Sequence, residues 1–131
     1  MSQPVVIRWV GGEHPFRLGL GEMRAIQDAT GCGPEFLAHR IKSMQWKVDD
    51  LREIMRNGLI GGGMDHVQAL RLIEQADATA TGISLKVPAL EVMLAYLYGP
   101  ADDPVGEPSP AGDQTPQSQK TGDGDSASIT E

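Results

Sequence analysis

Near the N-terminus the apolar residues fall in two short runs separated by glycines, and further on they recur at three- and four-residue spacing in five blocks. The first run, Val5-Val6-Ile7-Arg8-Trp9-Val10, is β-branched and aromatic, and Gly11-Gly12-Glu13-His14 interrupts it. Pro15-Phe16-Arg17-Leu18-Gly19-Leu20 follows with apolar residues at alternate positions. This is the pattern of a β-hairpin, with Phe16, Leu18 and Leu20 on one face. A two-stranded sheet is marginal alone, so helices must cover that face.

The helical blocks are bounded by recognisable signals. Met23, Ile26 and Ala29 or Thr30 share a face, and Gly31 is placed to close their helix in a left-handed cap. Pro34 suits a first helical position, and Phe36 or Leu37, Ile41 and Met44 make the next stripe. Asp50 with Glu53 has capping-box spacing before Leu51, Ile54, Met55 and Gly58, a helix expected to stop at Asn57 or Gly58. Asp65 is the expected cap of a fourth helix, with Val67, Leu70, Ile73 and Ala76 or Asp77 turned inward. The last begins at Ser84 or at Pro88, carries Leu90, Met93, Leu94 and Leu97, and ends at Tyr98-Gly99-Pro100. The class is α+β: an N-terminal hairpin on a bundle of about five short α-helices.

Composition divides the 131 residues in two. From residue 100 onward the chain is Pro, Gly, Ser, Asp, Gln and Thr with almost nothing apolar, and such a segment is expected to stay unfolded. The folded domain is therefore expected over residues 1–99, with residues 100–131 as an acidic tail. The tail holds seven acids against Lys120, and so six of the seven net negative charges. What remains, a net charge of −1 on residues 1–99, has its basic residues scattered among acids, with no stripe for phosphate. Nucleic acid is not an expected partner. The membrane is not expected either, since no apolar run approaches the ~20 residues that span a bilayer. A single cysteine and an N-terminus without a leader pattern point to the cytoplasm.

Candidate chemistry changes little. Gly61-Gly62-Gly63 lacks the lysine and hydroxyl residue of a phosphate loop, because Met64 and Asp65 follow it. A tight connection that lets the third and fourth helices meet closely is the expected role. His14, His39 and His66 have no second ligand at helical spacing, and Cys32 has no CxxC partner. No catalytic residue, metal or cofactor is expected, and the chain reads as a non-enzyme. Trp46, Leu94, Tyr96, Leu97 and Tyr98 are candidates for a partner-binding surface, because large aromatic and apolar residues anchor interfaces. Core packing is their more ordinary role.

Several motifs together resemble a family. They are Phe16-Arg17-Leu18-Gly19-Leu20-Gly21-Glu22-Met23, Gly31-Cys32-Gly33-Pro34, the Val48-to-Ile54 stretch with Asp50 and Leu51, the run Gly58-Leu59-Ile60-Gly61-Gly62-Gly63, and Ala95-Tyr96-Leu97-Tyr98-Gly99. The chain resembles, over about residues 5–99, the small tail proteins of gene transfer agents and related phages, described as tail assembly chaperones. The resemblance implies a chaperone that binds the tape measure protein and helps recruit tail tube subunits, in the bacterial cytoplasm and with self-association open. The alternative is a structural component of the tail, at its tube or tube end, and so located in the virion.

Overall fold

The computed structural model describes residues 3–99; the expectations for the acidic tail lie outside them. The element order is β1 (Val5–Trp9), β2 (Gly12–Phe16), α1 (Leu20–Thr30), α2 (Pro34–Lys42), α3 (Val48–Gly61), α4 (His66–Thr79), a 3-10 turn (Gly82–Leu85) and α5 (Lys86–Tyr98). The α+β class is as expected: one antiparallel hairpin and, among the described residues, five α-helices.

β1 and β2 pair from Val5 opposite Phe16 to Trp9 opposite Gly12, joined through Val10-Gly11. The second strand therefore starts three residues earlier than expected. A two-residue connection suffices because Gly12 adopts φ 119°, and the indole Nε1 of Trp9 donates to Nδ1 of His14 at 3.0 Å, holding His14 in the strand. Ile7, Trp9 and Phe16 turn inward, with the Trp9 and Phe16 rings edge-on at 5.9 Å. Leu18 is buried as expected, but Leu20 is exposed, because the chain has already left the strand and begun α1.

Helix boundaries follow the caps. Gly31 closes α1 at φ 73°, its N–H donating to the Gln27 carbonyl, and Pro34 opens α2. Asp65 caps α4 through the amides of Val67 and Gln68, as expected. At α3 the expectation fails: the cap is Lys47, and Asp50 is the third helical residue whose carboxylate reaches back to the Lys47 N–H at 2.8 Å. α3 also runs past Gly58 to Gly61. It ends in a Schellman turn, Gly63 N–H to Ile60 and Met64 N–H to Leu59, with Gly63 at φ 114°. The last helix starts between the two expected points, after the 3-10 turn, with Pro88 in its first turn where an amide has no helical acceptor.

The core gathers Phe16, Met23, Ile26, Leu37, Ile41, Leu51, Ile54, Met55, Leu59, Ile73, Val92 and Met93 around α3. Two expected stripes are partly rotated, and a third keeps its face but loses its last member. In α4 the inward residues are Ala69, Ile73 and Ala76, while Val67 and Leu70 are exposed. Small side chains let α4 approach α3, so fit rather than bulk decides the face. In α5 the inward residues are Pro88, Ala89, Val92 and Met93, leaving Leu90, Leu94 and Leu97 half-buried. In α2, Leu37 is the buried member of the Phe36/Leu37 pair, and Met44 lies beyond the helix end, 77% exposed.

Candidate functional site

The run Gly58-Leu59-Ile60-Gly61-Gly62-Gly63 joins the hairpin to the helices. Gly58, Gly61 and Gly62 are three and four residues apart at the C-terminal end of α3, so they form one strip without side chains. The end of β2 and the segment after it lie on that strip. The Arg17 N–H donates to the Gly58 carbonyl at 3.0 Å. A Cβ on Gly61 would collide with the Arg17 carbonyl, one on Gly62 with the Pro15 carbonyl, and one on Gly58 would stand 2.8 Å from the Phe16 ring. Gly58, Gly61 and Gly62 thus admit the hairpin, which corrects the expectation that they let the third and fourth helices meet; Gly63 alone serves the tight α3–α4 connection. Leu59 is buried between these glycines and Ile60 packs at the edge of the core. No phosphate cradle is built here, because the strip is filled by the protein's own main chain.

At the other end of α3, Asp50 is 1% exposed beside the buried Leu51. Its carboxylate accepts two hydrogen bonds from Arg40, from Nε at 3.0 Å and from a terminal nitrogen at 2.7 Å, besides that from Lys47 N–H. The Arg40 guanidinium lies 5.9 Å from the Phe36 ring centroid. Hydrogen bonding to Asp50 raises the Arg40 pKa further; burial opposes the rise, and the Asp50 charge adds to it. The arrangement is an α2–α3 clamp in which donors engage both carboxylate oxygens of Asp50. Sequence reasoning missed Arg40, ten positions from its partner. The only signal was a carboxylate at a helix start that needed a cation once buried.

The candidate partner-binding residues separate. Trp46, Tyr96 and Leu97 pack against the core. Leu94 is half-buried, and Tyr98 is 72% exposed. With Val87 they mark an outward stripe of α5 at positions 87, 94 and 98. A shallow cavity of about 150 Å³ between the hairpin tip and α4, lined by Val10, Gly11, Leu72, Gln75, Ala76 and Thr79, holds no charged group. Among the described residues no cluster of His, Cys, Asp and Glu is arranged for a metal, and no helix is long and apolar enough to cross a membrane.

Comparison with known proteins supplies what this geometry does not. Searches of curated proteins and of solved structures gave no match. The family described as "phage tail tube protein, GTA-gp10" matches residues 3–99, the whole of the described domain. That description overturns the tail assembly chaperone as the function, and with it the expected recruitment role; it favours the structural alternative. It fits a location in the virion tail and contact with other tail proteins. Matched over most of its length, the chain belongs to the phage tail tube protein family of gene transfer agents and phages.

Proposed function

We propose that this protein is a structural, non-enzymatic subunit of a phage-type tail, placed in the tube or at its end. The observation that carries the reading is the family match over residues 3–99. The architecture is compatible with a building block: a hairpin locked onto a helix by main-chain contact, and outward apolar residues on α2, α4 and α5. Of the candidate residues, Leu94 and Tyr98 are the ones placed to touch a neighbour, whereas Trp46, Tyr96 and Leu97 hold the subunit's own core. Neighbouring tube subunits are the first partner, and the tape measure protein is the second. Mass spectrometry of purified particles tests the reading. Recovery at a stoichiometry of many copies per tail supports it; absence from intact tails overturns it.

A further inference from the structure

The hairpin has one covered edge and one open one. In an antiparallel ladder the residues alternate between those that exchange hydrogen bonds with the partner strand and those whose N–H and C=O point the other way. The two-residue connection makes Trp9 and Gly12 an exchanging pair, so Ile7 with His14 and Val5 with Phe16 exchange as well. Pro15 and Arg17 must then point away from β1. Two contacts establish this phase: the Arg17 N–H reaches the Gly58 carbonyl, and the Pro15 carbonyl lies against Gly62. The missing N–H of Pro15 therefore costs the ladder nothing.

The same alternation turns the main-chain groups of Val6 and Arg8 outward on the opposite edge. Val6 is 66% exposed and Arg8 is exposed, and no main-chain partner within the described domain reaches either residue. An open edge with free donors and acceptors is a template for another strand. Among the described residues β1 offers the one such edge, since α3 covers that of β2.

We propose that β1 pairs antiparallel with β1 of a second copy, giving a continuous four-stranded sheet about a two-fold axis. The edge is self-complementary in the register that sets Val6 opposite the second copy's Arg8. Both outward N–H groups then meet outward carbonyls, and Ile7 meets its own counterpart on the buried face. In this register each Arg8 has Glu13 beside it on one side and an aliphatic Val6 on the other, with no like charges directly opposed. Of the two neighbouring registers, one would set Arg8 against Arg8 and the other would set Arg8 opposite Pro4, which has no N–H to donate. A net charge of −1 on residues 1–99 leaves little repulsion between the folded parts. The contact is closed by its two-fold axis and cannot by itself extend a tube, so the proposal does not rest on the tail-tube reading.

Sedimentation velocity of the full chain, from about 1 to 300 μM, reads the association directly. The expected result is a reversible monomer–dimer equilibrium. Val6→Pro removes an edge donor and no ladder hydrogen bond. It should leave the far-ultraviolet circular dichroism unchanged and weaken the dimer about tenfold or more, since two hydrogen bonds are lost per pair. Amide exchange of the unaltered protein gives the second reading. The Val6 and Arg8 amides should become protected as concentration rises, while those of Ile7 and Trp9 are protected throughout. A chain that stays monomeric over the range, a dimer unaffected by Val6→Pro, or exchange at Val6 independent of concentration would each overturn the proposal. Loss of the protein from purified particles beside an intact β1 dimer would refute the tail reading alone.

Discussion

At the scale of single residues, the glycines separate into roles the sequence does not distinguish. Gly21 lies in α1 with open space around its Cβ position, so Gly21→Ala should raise stability by about 0.5–1 kcal/mol through helix propensity. Gly63 also has space, but its φ of 114° makes Gly63→Ala cost about 1 kcal/mol. At Gly61 the methyl would meet main chain that cannot yield without shifting the hairpin, and Gly61→Ala should cost more than about 2 kcal/mol. Chemical denaturation of the three variants would give the order Gly21→Ala, Gly63→Ala, Gly61→Ala from most to least stable. A Gly61→Ala protein as stable as the parent would refute the strip as a site of close approach. Met44 is the converse case. It occupies the left-handed position of a Schellman turn, with Gln45 N–H bonded to Arg40 and Met44 N–H to Ile41, at φ 65° and with its side chain in solvent. Met44→Gly relieves the strain but loosens the unfolded chain, and the net gain should be about 0.5–1 kcal/mol in the same assay.

At the scale of elements, the sequence was readable where the signal is local. Gly31, Pro34 and Asp65 mark their helix ends because a cap depends on a few adjacent residues. Orientation was readable in α1 and α3, where Met23, Ile26, Leu51, Ile54, Met55 and Gly58 are inside as expected, and only in part elsewhere. In α4 the expected Ile73 and Ala76 are inside, but Ala69 takes the place of Val67 and Leu70, because the choice depends on what α3 presents across the interface. The partner of the glycine run was hidden for the same reason: glycine spacing shows that something approaches closely, not which element does. Asp50 joins the two scales. Read locally it is a cap; in the fold it is the buried acceptor that ties α2, through Arg40, to the start of α3. Asp50→Ala strands Arg40 and the Lys47 N–H together, and should cost about 3 kcal/mol or more. Arg40→Ala should cost nearly as much. The double variant should fall well short of the sum, since either change alone breaks the same clamp. Additive losses in a thermodynamic cycle would show that the two side chains act separately.

At the scale of the whole molecule, charge and assembly pull against each other. Six of the seven net negative charges lie in residues 100–131, so any contact that brings two copies together also brings two acidic segments into one volume. Their repulsion acts over about a Debye length, roughly 10 Å at 0.1 M salt and 30 Å at 0.01 M. The β1 pairing itself consists of main-chain hydrogen bonds and aliphatic contacts, which salt barely touches. Raising the salt from 0.02 to 0.3 M should therefore tighten the full-length dimer by several-fold, about 1 kcal/mol. A chain ending at Gly99 should dimerise more tightly at low salt and show almost no salt dependence. Sedimentation of both chains at the two salt concentrations checks this. A full-length dimer that weakens with salt would mean that attractive charge pairs hold it, which the Val6–Arg8 register does not provide. A truncated chain that loses the dimer would move the contact out of the hairpin altogether.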